Sequence, residues 1–215
     1  MRMDTKTRQL LLLLNWMSPT FPIGGFAYSH GLEQAISDGL SNAEALKSWV
    51  ADLLQSGSAW NDAVLFAHCW NDKTEDLNAI ALALCGSAER YQETTQLGRN
   101  FSVAANVWLG APVPEDVMAY PIAAGSACLA AGIEKEPAVL AFLQGFCATQ
   151  VSVAVRLIPL GQTKGLEVLR DVSPIIAAVA TRASSATLGD LGSDCILAEI
   201  SAMKHETLES RVFRT

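Results

Sequence analysis

The sequence predicts an all-α protein, a single compact helical domain of about eight to ten helices. Three observations carry that prediction. Apolar residues recur at helical spacing along most of the chain, and no segment shows the apolar–polar alternation of a half-buried strand. Half of the 215 residues are hydrophobic and only 17% are charged, which is enough apolar material for one large core. The same balance excludes intrinsic disorder. Fifteen bases against 22 acids leave a net charge of −7 with no Lys/Arg cluster, which argues against nucleic acid or an anionic membrane surface as the main partner.

The first helix is the leucine run at residues 10–14. It follows Arg2, Lys6 and Arg8 and superficially resembles a secretory signal. The run is short, however, Asp4 stands upstream, and Asn15, Ser18 and Pro19 end it without a small-residue cleavage site. A cytoplasmic helix is the better reading. Residues 18–33 (SPTFPIGGFAYSHGLE) then form one long connection shaped by Pro19, Pro22, Gly24, Gly25 and Gly31, with Phe21, Phe26 and Tyr28 interleaved. Two readings stand side by side: a rigid loop whose aromatics plug the core, or a pre-organised surface loop presenting Tyr28, Ser29, His30 and Glu33. If Gly24 or Gly25 adopts a positive φ, a β-branched residue there should damage folding.

Leu46, Trp49, Val50, Leu53 and Leu54 make a core-facing helical stripe, with Ser41 and Glu44 as a capping box. A helix from Trp60 to about Cys69 follows, and Thr74 with Glu75 and Asp76 caps the next. The helix from Ala88 to Leu109 starts with Glu89, Arg90 and Glu93 and passes into the uncharged Phe101–Pro114, so a wet start and a buried end are expected. Tyr120–Ile133 is rich in small residues that let helices approach closely, with Gly132 as a stop. The next helix carries Pro137 in its first turn and ends before Pro159. Pro137–Val155 is 19 residues without a charge, but its polar Gln144, Thr149, Gln150 and Ser152 favour a buried central helix over a membrane span. Leu160–Gln162 reads as a connection, and the helix from Thr163 to Leu188 is expected to kink or break near Val172 because of Pro174. Gly189 and Gly192 precede a last helix, Ser193 to Leu208. Residues 209–215 read as a flexible tail.

Enzyme signatures are near misses. Ala27–Gly31 is one residue from a nucleophile elbow but lacks the strand before it. Gly161-Gln-Thr-Lys164-Gly165 is not a phosphate-binding loop. His30, His68 and His205 are the three histidines, and none has metal-ligand spacing. The five cysteines are widely spaced, unlike a disulfide framework, and are read as reduced core thiols. No cofactor is implied. Two chemical alternatives remain: a helical hydrolase using Ser29 with a histidine, and a direct metal-ion carrier using His30, His205 and cysteines.

Several blocks resemble one family. The leucine run, Ser18-Pro19 and Pro22-Ile-Gly-Gly-Phe-Ala-Tyr-Ser-His-Gly-Leu-Glu33 resemble the N-terminal signature of the UreF family of urease accessory proteins. Tyr120-Pro-Ile-Ala-Ala-Gly125, Val155-Arg-Leu-Ile-Pro-Leu-Gly-Gln-Thr163, the ending from Ser193 through His205-Glu206 to Arg211-Val-Phe-Arg-Thr215, and more weakly Glu89–Gly98 extend it in the family's order. The resemblance implies an all-helical, non-catalytic homodimer. It would bridge the scaffold UreD (or UreH) to the GTPase UreG, regulating GTP-dependent nickel delivery to apo-urease. It implies that the tail orders on UreD through Arg211, Phe213 and Arg214; His205 and Glu206, in the same matching block, are further candidate partner residues. Glu33, Gln162 and Lys164 resemble positions facing UreG, and Tyr28, Ser29 and His30 match the family loop. Lys164-Gly165-Leu166 stands where the family often has an acidic residue, Gly and Gln.

Overall fold

The computed structural model describes residues 3–110, 112–114 and 117–215; Arg2 of the basic lead and Ala111 of the uncharged Phe101–Pro114 stretch lie outside the described residues. Among the described residues there are ten α-helices, two short 3-10 turns and no strand, forming one all-α domain. In order they are α1 (Thr5–Trp16), α2 (Leu32–Ser37), α3 (Ala43–Ser56), α4 (Ser58–His68), α5 (Thr74–Ala83), α6 (Ala88–Asn106), α7 (Tyr120–Ala130), α8 (Lys135–Leu157), α9 (Gly161–Ser185) and α10 (Ile196–His205). The 3-10 turns are Gly25–Ala27, inside the long loop, and Leu188–Asp190, before α10.

α4 lies at the centre and touches α3, α5, α7, α8 and α9, while α8 runs along α9. Its sequence explains the position: Ala59, Ala63, Val64, Leu65, Phe66 and Ala67 are all buried, so it has no polar face to offer water. α7 reaches equally close quarters through small residues. A Cβ on Gly125 would lie 2.7 Å from the Cys69 Sγ and 2.8 Å from the Phe66 carbonyl of α4, and one on Gly98 of α6 would lie 1.9 Å from the Met118 carbonyl. Only glycine permits those two crossings. An aromatic cluster of Trp16, Phe101, Tyr120, Phe142 and Phe66 links α1, α6, α7, α8 and α4 through ring contacts 4.8–6.0 Å apart.

Several local expectations need correction. The cap of α3 is Asn42, whose side chain accepts from the Ala45 N–H at 2.9 Å, not Ser41. Thr74 is the first residue of α5 and does not cap it; Lys73 holds the N-cap position. Gly161 and Gln162 belong to α9, which Gly161 enters at φ 71°, and α9 continues through Pro174 without a break because packing against α3, α4 and α8 holds it. α10 starts at Ile196 and not at Ser193.

The uncharged end of α6 buries Phe101, Ser102 and Ala105 as expected, but its charged start is not wet and some of the apolar end is exposed. Glu93 is buried and Glu89 and Arg90 are nearly so, while Val103, Val107 and Trp108 at the other end are exposed. The charged end goes inside because each charge meets a partner on another element, as described below. α8 is the one helix among the described residues long and apolar enough to cross a membrane, and half of its most apolar stretch is buried in the bundle. The five cysteines are unpaired thiols. Burial pushes the thiols of Cys69 and Cys147 up to about 12, leaving them inert.

Candidate partner-docking site

The long loop and the C-terminal tail form one structure. Gly24, at φ 83°, stands in the left-handed region, the condition under which a β-branched residue there should damage folding. The chain then turns into α2 through two successive positive-φ residues, His30 (58°) and Gly31 (79°). Gly31 also lets α2 sit on α10, since a Cβ there would approach the Ala202 backbone N at 3.1 Å. Ser29 Oγ accepts the Glu33 N–H at 3.2 Å, closing the first turn of α2.

Residues 211–215 fold back along this loop as a strap. The Glu33 carboxylate accepts the N–H groups of Val212 (2.7 Å) and Phe213 (2.9 Å), and its Oε2 lies 3.0 Å from His205 Nε2. The other ring nitrogen of His205 lies 2.7 Å from Glu89 Oε2, and Arg211 donates to Glu89 Oε1 at 2.5 Å. Arg214 N–H donates to the Ala27 carbonyl at 2.8 Å, and Ser29 donates through both its N–H and its hydroxyl to the Thr215 main-chain oxygen. Phe213 is buried, with the Arg156 guanidinium 4.4 Å from its ring centroid. Burial alone would raise the Glu33 carboxyl, but the Val212 and Phe213 N–H groups and His205 outweigh it and hold it below the usual carboxylate range.

A second buried network adjoins the first. His30 Nδ1 lies 3.1 Å from Glu93 Oε1 and His30 Nε2 lies 2.6 Å from Ser58 Oγ, while Thr215 Oγ1 donates to Glu93 Oε2 at 3.2 Å. Asp62 pairs with Arg90 at 2.6 Å. Burial raises the Asp62 carboxyl despite Arg90. For Glu93, burial is outweighed by the charges of His30 and Arg90 and by hydrogen bonds from His30 and Thr215, and its carboxyl is lowered.

These positions revise the surface expected from sequence. Tyr28, Ser29, His30, Glu33 and His205 are buried, so none is presented to solvent. The tail is docked in the isolated chain rather than flexible, and Phe213 is its internal peg. The physical reason is shared: Ser29, His30, Glu33 and His205 all find hydrogen-bond partners inside the chain. Outside stand Arg211, Val212 and Arg214, joined by Phe26 and Arg156 of the neighbouring segments; Arg156 donates to the Phe26 carbonyl at 3.2 Å. Glu206 is exposed and accepts the Ala88 N–H at 2.8 Å, which caps α6. Gln162 and Lys164 lie exposed on the first turn of α9, where Lys164 pairs with Glu167 at 2.6 Å. Pro22 and Gly24 are exposed on the loop's outer side. The partners that sequence reasoning missed are Glu89, Glu93 and Arg156. Glu89 and Glu93 share one face of α6 at i, i+4 spacing, the single sequence signal that they act together.

Among the described residues no group of three or more His, Cys, Asp or Glu side chains is arranged to hold a metal ion. Fold and site together define an all-helical protein built around a self-docked tail that leaves a small apolar and arginine-bearing patch outside. A family model described as UreF matches residues 40–173. Over its full length the chain is 44% identical to the urease accessory protein UreF of Rhizobium leguminosarum bv. viciae, covering all of both chains. It is 43% identical to that of Allorhizobium ampelinum, with 97% of each covered, and 43% to UreF 1 of Brucella canis, with 97% of this chain and 95% of the relative. The chain belongs to the UreF family.

Proposed function

We propose that this protein is a cytoplasmic urease maturation factor whose role is binding rather than chemistry. It bridges a UreD/UreH-type scaffold and the GTPase UreG, acts as a homodimer, and regulates GTP-dependent delivery of nickel, the cargo, to apo-urease. The observation that carries this reading is its relatedness to urease accessory proteins over essentially the whole chain. Two surfaces are assigned roles within it. The docked tail offers Arg211, Val212 and Arg214, with Phe26 and Arg156, to the scaffold; Val212 is 63% and Phe26 48% exposed, a composition suited to an interface anchor. The first turn of α9 offers Gln162 and Lys164 to the GTPase, and exposed Glu206, at the end of α10 beside His205, is a rim charge on the tail's side. Glu33 and His205 serve indirectly, by fixing the tail.

Co-purification of the chain with UreD and UreG tests the bridge, and both partners are expected to be retained. Val212→Asp with Arg214→Glu is expected to lose the scaffold while leaving the helical spectrum unchanged. Failure of the wild-type chain to retain either partner, or stoichiometric GTP or nickel binding by the chain alone, would overturn the reading.

A further inference from the structure

Ser58, His30 and Glu93 stand in a line beside the docked tail, whose Thr215 hydroxyl also meets Glu93 and the His30 N–H. Ser58 Oγ is 2.6 Å from His30 Nε2, and His30 Nδ1 is 3.1 Å from Glu93 Oε1. A nucleophile, a base in hydrogen-bond reach of it, and a carboxylate orienting that base are the three parts of a nucleophilic triad, recognised by geometry rather than by chain order. His30 is the one non-glycine residue at positive φ among the described residues, a conformation that surrounding structure must hold in place. The hold is visible: the His30 N–H donates to Thr215 Oγ1 at 3.2 Å, and Phe146 meets the ring edge-on at 5.3 Å. The Glu93 carboxyl is lowered, burial being outweighed by the charges of His30 and Arg90, which favours the carboxylate that can accept from an Nδ1–H.

Ser58 also faces space. It lines a cavity of about 280 Å³ with apolar walls from Leu53, Leu65 and Met203 and with Asp62, Glu89 and Glu199 around it. Ser58 is the first residue of the 11-residue α4, whose first backbone bond is Asn61 N–H to the Gly57 carbonyl at 3.2 Å. The N–H groups of Ala59 and Trp60 therefore lie outside the helical ladder. Arg90 also borders the cavity but is paired with Asp62, and the acids outnumber it, which disfavours anionic ligands; the volume suits a short acyl chain.

We propose that Ser58, His30 and Glu93 form a nucleophilic site that cleaves small uncharged acyl esters. Ser58 Oγ attacks the ester carbonyl carbon as its proton passes to His30 Nε2. The new O–C bond forms while the carbonyl pair moves onto oxygen. Collapse breaks the C–O bond to the alcohol, which leaves with the proton from His30. Water then repeats the attack on acyl-Ser58, again through His30, releasing the carboxylic acid and restoring the hydroxyl. Glu93 touches no reacting atom and acts as the positioning residue. Ser29, the serine singled out by sequence, is unsuited to this role because its hydroxyl is fully buried and donates to Thr215.

The inference goes beyond the binding role and is tested separately from it. The full-length wild-type chain is treated with an alkyl fluorophosphonate and mapped by peptide mass spectrometry, and turnover of p-nitrophenyl acetate is followed in parallel. One phosphonyl adduct on Ser58 is expected, with ester turnover that stops once the adduct forms. Ser58→Ala should lose both, and Glu93→Gln should slow phosphonylation and turnover together by roughly 10²-fold. Absence of an adduct on the wild-type chain at saturating probe, or an adduct on a different serine, would overturn the proposal without requiring any variant to fold.

Discussion

The tail at residues 211–215 and the first turn of α9 look alike in sequence. Both are short polar stretches carrying a basic residue beside an apolar run, and both read as surface tips. In the structure they differ completely. The α9 turn stays in water, and its Lys164 makes only a local pair with Glu167, three residues along. The tail is threaded through the protein's own polar network, with Phe213 and Thr215 buried and Glu33 accepting two of its backbone N–H groups. The difference does not lie in the segments. It lies in what stands opposite: a carboxylate on α2, a histidine on α10 and two carboxylates on α6, brought together from distant parts of the chain. A polar segment is buried where preformed partners satisfy its donors, and is solvated where they do not.

The largest break in that comparison is expected from Glu33→Ala. It leaves His205 and two buried N–H groups without an acceptor, which costs about 3–5 kcal/mol as for a broken buried pair. At about 2–4 °C per kcal/mol for a chain of this size, Tm should fall by roughly 10 °C in a thermal melt followed by circular dichroism. A fall under about 2 °C, the size expected of a surface change, would show that Glu33 does not hold the tail. Phe213→Ala comes next. Removing a buried aromatic side chain near a chain end should cost about 3 kcal/mol, the low end of the usual range, and urea unfolding would measure it. Deleting residues 209–215 should be at least as damaging, whereas a frayed tail would make deletion neutral.

Acid should undo the same junction more gently. The Glu33 carboxyl is held below its ordinary value of 4.5 in the folded chain, so its stabilisation is fully present above that value. It is lost as pH falls through the lowered folded value, because the folded chain then binds the proton that the unfolded chain has already taken up. Glu93 has the same sign. Amide hydrogen exchange at Val212 and Phe213 should therefore show lost protection below about pH 4.5, after correction for the intrinsic rate, while the first turn of α9 keeps its pattern. Equal sensitivity in both segments would erase the distinction. The smallest effect is assigned to Lys164→Ala. Its exposed pair with Glu167 is worth at most about 0.5 kcal/mol, so stability should be unchanged within that limit.

Much of the fold was legible because helical periodicity is local. The α3 stripe Leu46, Val50, Leu53 and Leu54 is buried as its spacing requires, Gly132 follows the end of α7 at φ 71°, and α8 stops before Pro159. Errors arose where a local signal met a tertiary one. Ser41 and Asn42 are both good caps, and the entry geometry of α3 selected Asn42. Pro174 removes one hydrogen bond from α9, and packing on three helices keeps the axis continuous regardless. Charge at the start of α6 suggested exposure, because the sequence does not reveal that Glu89 meets His205 or that Glu93 meets His30, 116 and 63 residues away.

The candidate site was half legible. The blocks do converge: the tail at 211–215 bonds to Ala27, Ser29, His30 and Glu33 of the loop. Their orientation was not readable, and it decides which side chains a partner can touch. By itself, the sequence determined the helical class, the helix ends at glycine and proline, the unusual loop geometry around Gly24 and Gly31, and the family. All of these depend on residues a few positions apart or on patterns along the chain. Only the tertiary structure decided that the tail is docked, that Glu33 and His205 face inward, and that Ser58 rather than Ser29 stands against His30. Each of those outcomes depends on pairing groups far apart in sequence, and a hydrogen bond between distant elements leaves no periodicity to read.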